Sequence, residues 1–254
     1  MRLFDTHAHL LDKRFDADRE TLIQELPSKG ITGLIEIGTT ADDSAAAAAL
    51  AQRVPYIFAA VGVHPHEAKN AGADYIERLE SLAKNDKVVA LGEIGLDYHY
   101  DFSPRDVQQI VFVQQLCLAE RLGLPVVVHM RQATQDTLSI LREHKGVSGV
   151  MHCYSGSAET AELLLQLGML ISFTGAVTFK NAKKTVEAAK IVPLSRLMAE
   201  TDCPYLSPEP VRGRRNDPSG VRHVLQRLAE IKGISFEQMC EINENNAKGL
   251  FKTP

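Results

Sequence analysis

Residues 126–152, VVVHMRQATQDTLSILREHKGVSGVMH, contain one copy of the pattern that determines the fold of this chain. A short apolar run ends at His129, an amphipathic stretch follows, and a second apolar run ends at His152. Runs of this kind, separated by polar loops and helical patterns, recur along the sequence. Because strands that alternate with helices are typical of βαβ units, the sequence predicts a parallel sheet.

Eight segments have the composition of such strands, and eight strands in 254 residues favour a closed barrel over an open sheet. The first strand is not followed by Gly-x-Gly-x-x-Gly, so a dinucleotide-binding fold has no support. We find no internal repeat and no linker, and we predict an α/β fold, a TIM-like (β/α)8 barrel, with residues 1–254 as a single domain. The predicted strands are Leu3–His7, Gly33–Gly38, Tyr56–Val61, Val88–Glu93, Val126–His129, Gly149–His152, Met169–Phe173 and Leu197–Glu200.

Three helices carry local signals. Residues 235–238 (SFEQ) have the form of a capping box before an apolar-periodic run. Pro104 is expected in the first turn of a long helix that ends near Gly123, and the alanines at 45–49 favour a helix by propensity.

Charge and cysteine content exclude several classes of protein. The 28 Lys and Arg against 32 Asp and Glu give a net charge of −4, which excludes a globally basic coat protein but allows a local basic patch. The four cysteines include no Cys-x-x-Cys pair, which argues against a thiolate zinc site. We find neither a signal peptide nor 18 consecutive apolar residues, and we expect a cytoplasmic protein with free thiols, no membrane segment and no obligate protein partner.

Polar residues with catalytic chemistry stand at the carboxyl ends of the predicted strands, where parallel barrels place their active sites. Taken singly, each could be an ordinary hydrogen-bonded structural residue, but their joint occurrence at one rim indicates a site. His7 and His9 are two residues apart on an extended segment, so their side chains point to the same face. The strand-end residues are His7, His9, His64, Glu93, His129, His152 and Asp202.

Four of these histidines and the two carboxylates are too many ligands for one tetrahedral ion. They suit two divalent ions that share a bridging carboxylate, an arrangement that activates a water and clamps the attacking and leaving oxygens. Mg, Mn and Zn are all compatible with a mixed imidazole and carboxylate set.

Eight short motifs occur in an order that is specific to one family. They are 4–10 (FDTHAHL), 62–66 (GVHPH), 91–98 (LGEIGLDY), 125–131 (PVVVHMR), 152–156 (HCYSG), 200–206 (ETDCPYL), 212–216 (RGRRN) and 246–251 (NAKGLF). With these motifs the chain resembles, over essentially its whole length, the TatD-type metal-dependent deoxyribonucleases of the amidohydrolase-like barrel superfamily.

The resemblance implies a binuclear metal site and assigns its ligands. One ion is expected on His7, His9 and Asp202, a second on His129 and His152, and Glu93 is expected to bridge them. Two residues depart from the family pattern. Leu11 stands where Asp or Asn is common, and Cys203 stands where Ser is usual, and neither position is a metal ligand.

Other candidates each have two interpretations. His64 is expected near the substrate phosphate or leaving oxygen, or else has a structural role. Arg131 could hold a phosphate or pair with Asp136. Arg212, Arg214 and Arg215 could form a phosphate-binding loop or a solvated basic loop.

Four more side chains carry weaker expectations. Tyr98 and Tyr154 could stack on a base or pack over the rim. His66 and His99 are expected at the surface.

The favoured reaction is hydrolysis of DNA phosphodiesters, with Asp202 as ligand and general base, Glu93 as bridging ligand and His64 near the leaving oxygen. A rim site suits single-stranded or frayed ends, and the family resemblance points to 3′→5′ exonuclease action in DNA repair or degradation. The alternative is a small-molecule hydrolase for an amide, ester or lactone, since fold alone does not determine function. The arginine loop discriminates, because it helps only a substrate that carries phosphate. A non-catalytic binding protein is disfavoured, because all six ligand positions are intact.

Overall fold

The computed structural model describes residues 2–254, in which eight parallel strands form one sheet in sequence order. Met1, which the predicted domain of residues 1–254 includes, lies outside the described residues. Helices connect the strands, so the prediction of a TIM-like (β/α)8 barrel is confirmed. The strands are β1 (Leu3–Ala8), β2 (Ile31–Ile37), β3 (Ile57–Val61), β4 (Val88–Asp97), β5 (Val126–Arg131), β6 (Gly149–Met151), β7 (Leu170–Phe173) and β8 (Leu197–Ala199).

The helices begin and end close to the signals in the sequence. Ser235 and Gln238 form the predicted capping box, and the helix predicted to end near Gly123 does so with Pro104 at its N-cap. Within residues 2–254, none of the helices is both long enough and apolar enough to cross a membrane. The helices are α1 (Arg19–Glu25), α2 (Ala41–Arg53), α3 (Tyr75–Leu82), α4 (Arg105–Leu122), α5 (Thr134–Glu143), α6 (Ala158–Gln166), α7 (Lys183–Ile191), α8 (Val221–Lys232) and α9 (Phe236–Phe251).

The described residues group into two compact units. The first comprises the residues through Ile35 together with Cys153–Leu165 and Leu170–Pro254, and the second comprises Glu36–His152 and Gln166–Met169.

In the first unit, the first and last strands of the sequence are neighbours. Ala8 and Cys203 form a parallel bridge just beyond β8. Asn243 of α9 ties the two strands from outside, since its amide nitrogen donates to the carbonyl of Phe4 and its amide oxygen accepts from the N–H of Ala199, each at 2.8 Å. The backbone bridge and Asn243 therefore join β1 to β8 within the first unit.

In the second unit, β3 to β6 run parallel, and two glutamines of α4 hydrogen-bond to the backbone at the ends of β3 and β4. The amide of Gln115 bonds both the N–H and the carbonyl of Val63, at 2.7 and 3.0 Å, and the amide of Gln108 does the same for Asp97, at 2.8 and 3.1 Å. Buried amides in this arrangement satisfy backbone groups where two strands end, and so hold the rim in place.

Strand β4 is four residues longer than predicted, because it stays paired with β5 through Asp97 and Arg131. Gly95 allows this close pairing. Its φ is +137°, and a Cβ there would lie 2.1 Å from the carbonyl oxygen of His129. The longer strand carries both Glu93 and Asp97 to the same rim.

Candidate metal centres

The first unit brings together His7, His9 and Asp202, which we call the first cluster. Their ligand atoms form a compact group, with 3.1 Å between the Nε2 atoms of the two histidines. Oδ1 of Asp202 lies 3.7 Å from Nε2 of His7 and 3.4 Å from Nε2 of His9. His7 is fully buried, whereas His9 and Asp202 each keep 15% of the side chain exposed.

Backbone pairing places Asp202 opposite the two histidines. The N–H of Asp202 donates to the carbonyl of His7, and the N–H of His9 donates to the carbonyl of Cys203, both at 2.9 Å. Asp202 has a φ of +55°, a left-handed conformation that Asp adopts more readily than most residues. The turn directs its carboxylate back over β1.

A buried acid supports this turn. The carboxylate of Asp5 accepts the hydroxyl of Thr201 at 2.5 Å and the N–H of Thr201 at 2.8 Å. Burial raises the pKa of Asp5 well above its ordinary value, although the bonds from Thr201 oppose the effect. Asp5 thus joins β1 to the segment that carries Asp202.

The second unit gathers four of the predicted residues around one oxygen, and we call them the second cluster. Oε1 of Glu93 lies 2.7 Å from Nδ1 of His129, 3.2 Å from Nε2 of His152 and 3.6 Å from Nε2 of His64. The Glu93 side chain is only 4% exposed. Three imidazoles that converge on a buried carboxylate are the kind of donor set that binds a divalent cation.

The electrostatics of the second cluster favour an ionised glutamate. Burial alone would raise the pKa of Glu93, but His152, His64 and His129 outweigh it and hold the pKa well below its ordinary range. Burial lowers the pKa of His64 to about 4, with Glu93 opposing the effect. Nδ1 of neutral His64 accepts the N–H of His66 at 3.1 Å, so the ring proton lies on Nε2, which faces Glu93.

Asp97 is a residue of this site that the sequence analysis missed. Its Oδ2 lies 3.1 Å from Nε2 of His129 and 2.9 Å from Nε2 of His66. Burial lowers the pKa of His129, but Asp97 and Glu93 raise it above its ordinary value. A carboxylate on the far nitrogen of a ligating histidine fixes its ring orientation and tautomer. The signal was available, since Asp97 lies four residues after Glu93 on an extended strand and so points to the same face.

His66, predicted at the surface, is only 24% exposed because it bonds Asp97, whereas His99 is exposed as predicted.

Both clusters fit a divalent ion on the chemistry of their donors. In the first, two imidazole nitrogens at 3.1 Å face a carboxylate, close enough for one ion to contact both at a metal–nitrogen length of about 2.0–2.1 Å. In the second, Nδ1 of His129 and Nε2 of His152 point at the same oxygen of Glu93. The number of ions, their identity and the bridging role of Glu93 stay predictions.

The four arginines predicted to bind substrate have different surroundings. Arg131 lies with its guanidinium 4.7 Å from the ring centroid of Tyr100, and Asp136, its alternative partner, instead accepts from Tyr98 and Gln109. The salt bridge considered for Arg131 is therefore absent from residues 2–254.

The loop arginines are only partly available to a substrate. Arg215 makes a two-pronged pair with Asp18, at 2.8 and 2.5 Å, and bonds the carbonyl of Arg14 at 2.7 Å. Arg212 packs over Phe179 at 4.2 Å. Arg214 is exposed, and its guanidinium has no carboxylate partner within the described part of the chain, residues 2–254. Arg214 is thus the loop arginine whose charge is not paired with a carboxylate among the described residues.

The two tyrosines considered for base stacking are both engaged within the protein. Tyr154 is buried and donates its hydroxyl to the carbonyl of Ser157 at 2.6 Å. The hydroxyl of Tyr98 donates to Asp136 at 2.8 Å, and Arg105 covers its ring at 4.5 Å. Packing over the rim is therefore the interpretation that holds for Tyr154.

Other aromatic rings are exposed instead. Tyr100, Phe102 and Tyr205 show 48%, 54% and 47% of their surface. Tyr205 lies in the first unit, 6.4 Å from His9 between ring centroids, with Arg14 4.0 Å from its centroid.

Known proteins resemble this chain along its whole length. A family model described as TatD related DNase matches residues 4–252. YabD of Bacillus subtilis (strain 168), an uncharacterized metal-dependent hydrolase, is 42% identical over 252 residues, which cover 98% of this chain and 99% of YabD. The 3′-5′ ssDNA/RNA exonuclease TatD of Rahnella sp. (strain Y9602) is 34% identical over 257 residues, which cover 98% of each chain. The crystal structure of YJJV, a TatD homologue from Escherichia coli K12, matches with a TM-score of 0.94 at 32% identity and covers 100% of this chain and 99% of that one.

Proposed function

Since the chain belongs to the TatD-related DNases, a family that includes metal-dependent hydrolases, we propose that it hydrolyses the phosphodiester bonds of DNA. The proposed action is 3′→5′ exonuclease cleavage of single-stranded or frayed ends. The observation that carries the proposal is the pair of donor clusters, each of which combines imidazoles with a carboxylate. Nucleases and other phosphodiester hydrolases use such sets to hold two divalent ions.

We propose that His7, His9 and Asp202 hold one ion and that His129 and His152 hold the other, with Glu93 as the shared ligand. When bound, two divalent ions lower the pKa of a water molecule and neutralise charge on the phosphate. The chain's own residues then have separate tasks. The second carboxylate oxygen of Asp202 accepts the proton of the attacking water and later returns it to the leaving oxygen. Asp97 keeps the imidazole of His129 in a single orientation.

Residues around the two clusters bind the substrate and neutralise the negative charge of its phosphates. Arg131 follows the second cluster on β5, and its planar guanidinium can hold a phosphate through two hydrogen bonds. Arg214 provides an exposed cation in the first unit. His64, neutral at pH 7 by its lowered pKa of about 4, can donate a hydrogen bond from Nε2 to the leaving oxygen without adding a charge.

The relatives' names support the choice of substrate and direction. One is named a 3′-5′ ssDNA/RNA exonuclease, and it matches this chain from end to end. We therefore include RNA single strands among the proposed substrates. The small-molecule hydrolase considered from the sequence is the competing outcome of the test.

A cleavage time course tests this function directly. A 5′-labelled single-stranded oligonucleotide is incubated with metal-stripped protein and after addition of Mg, Mn or Zn. We expect a metal-dependent ladder that shortens from the 3′ end, that is lost in Asp202→Asn and that persists in Asp86→Asn, an exposed carboxylate that belongs to neither cluster. Absence of cleavage with every metal, in protein that still binds two ions by elemental analysis, would refute the nuclease and favour the small-molecule hydrolase.

A further inference from the structure

Tyr100 and Phe102, in the loop between β4 and α4, form a stacked pair that is exposed to solvent. Their ring centroids lie 5.1 Å apart and their planes differ by 13°. The two side chains are 48% and 54% exposed. Exposed aromatic rings of this size can stack against a planar ligand. We call these two residues the aromatic pair.

The aromatic pair lies beside the second cluster, within the same unit. The ring of His66 stands edge-on to both members, at 5.5 Å from Tyr100 and 4.8 Å from Phe102. His66 also bonds the carboxylate oxygen of Asp97 that contacts His129. A planar group on the aromatic pair would therefore be one histidine ring away from the second cluster.

The loop that presents the pair is held by its own hydrogen bonds. Oδ1 of Asp97 accepts from the N–H groups of His99 and Tyr100, at 2.9 and 3.0 Å. At the far side of the loop, the hydroxyl of Ser103 donates to the carbonyl of His66 at 2.9 Å. A surface held in this way loses little conformational freedom when a ligand binds.

A cation completes the surface. The guanidinium of Arg131 lies 4.7 Å from the centroid of the Tyr100 ring, and within residues 2–254 it pairs with no carboxylate. Aromatic faces for bases and a cation for the backbone phosphate are what non-specific binding of single strands requires. Ile110 of α4 is as exposed, at 57%, but it offers neither a flat ring nor a charge.

We propose that the aromatic pair and Arg131 form a subsite for the unpaired terminal base, and its phosphate, of a single-stranded nucleic acid. This inference rests on the proposed function and adds a substrate determinant to it. Because every base has a flat π face, the subsite accepts all four bases and both DNA and RNA. A base inside a duplex is covered on both faces by its neighbours, so a paired end has to fray before it binds.

Fluorescence of a terminal base analogue tests the subsite without hydrolysis. The probe is a single-stranded decamer with 2-aminopurine at its 3′ end and a cleavage-resistant phosphorothioate as its last linkage, titrated with metal-loaded protein. Stacking quenches 2-aminopurine, so we expect quenching with the wild type and with Tyr100→Phe. For Tyr100→Ala/Phe102→Ala we expect the quenching to disappear and the Kd to rise about 5- to 150-fold, the range reported for removing one base-stacking contact. Ile110→Ala is the control for loss of an exposed apolar side chain and should behave as the wild type.

Kinetics with an abasic substrate separate stacking from a loss of structure. If the pair binds a base, the double variant loses kcat/KM on a normal 3′ end but changes less than about twofold on a 3′-terminal abasic nucleotide. Equal losses on both substrates, or equal quenching in the wild type and the double variant, would overturn the subsite. Failure of the proposed function can be distinguished from failure of the subsite. Absence of cleavage would refute the nuclease, whereas the quenching experiment does not require cleavage and tests the subsite alone.

Discussion

The substitution Asp97→Asn tests whether a carboxylate outside the donor set controls the second cluster. Asp97 has two separate duties, one for each oxygen. Oδ1 accepts the N–H groups of His99 and Tyr100, and Oδ2 faces Nε2 of His129 and Nε2 of His66. Asparagine keeps an acceptor for the two backbone groups but turns an NH₂ donor toward the histidines. A donor would then meet the ring N–H of His129, and the support for this ring is lost.

The expected size of the effect follows from the contact that is removed. The His129–Asp97 distance of 3.1 Å is within the range of an N–H···O hydrogen bond, and a hydrogen bond to a charged group is worth about 1.5–3 kcal/mol. Loss of such support for a metal ligand typically costs about 10- to 100-fold in metal affinity or activity. The metal-free protein should lose little stability, because both backbone N–H groups keep their acceptor. A change of about 1 kcal/mol would move its unfolding midpoint by about 2–4 °C.

The assay is a calorimetric titration of metal-stripped protein with Mn or Zn, together with kcat/KM on the oligonucleotide and a thermal melt. Asp136→Asn is the matched control, since Asp136 also accepts two side-chain hydrogen bonds in this unit but from Tyr98 and Gln109. We expect weaker binding of one ion in Asp97→Asn only. Metal affinities within twofold of the wild type in that variant, with normal activity, would refute the reasoning.

Three further predictions follow from the same contacts. Glu93→Ala should abolish activity and lower bound metal, while circular dichroism shows the barrel still folded; full activity would contradict its place among the ligands. Arg214→Ala should raise the KM for DNA and reduce the slope of log affinity against log salt by about one. Arg215→Ala should instead lower the thermal midpoint, through loss of its contacts with Asp18, and leave that slope unchanged. The reverse pattern would assign the phosphate contact to Arg215. A chelator should lower the unfolding midpoint by about 5–11 °C relative to protein at a hundredfold excess of metal over Kd, and an unchanged midpoint would argue against binding in the folded state.

The fold could be predicted because its signals are local and repeated. Each strand of a barrel is a short apolar run, and parallel pairing requires a helix between runs, so the alternation repeated over eight segments predicts the barrel. The end of β4 could not be predicted, because it depends on contact between Gly95 and the backbone of His129, far away in sequence. The unbroken apolar run is interrupted at Glu93, but the pairing continues to Asp97.

The candidate ligands were predictable for a geometric reason, since the carboxyl ends of parallel strands meet at one rim. Within the first unit the structure brings His7, His9 and Asp202 together, and within the second it brings Glu93, His129 and His152 together, with His64 beside them. Residues in the connecting loops were less predictable. Whether Arg215 faces solvent or Asp18, and whether Tyr98 or Tyr100 is exposed, depends on tertiary contacts that no periodicity in a loop reports.

The bridge between Ala8 and Cys203 has a consequence for how the protein is made. His7 and His9 are synthesised first, and the carboxylate that completes their cluster is encoded almost two hundred residues later. At elongation rates of about 5–20 residues per second, roughly 10–40 s separate the synthesis of the two histidines from that of Asp202. The first cluster is therefore assembled only after Asp202 has been synthesised, and a chain that terminates before Asp202 cannot complete it.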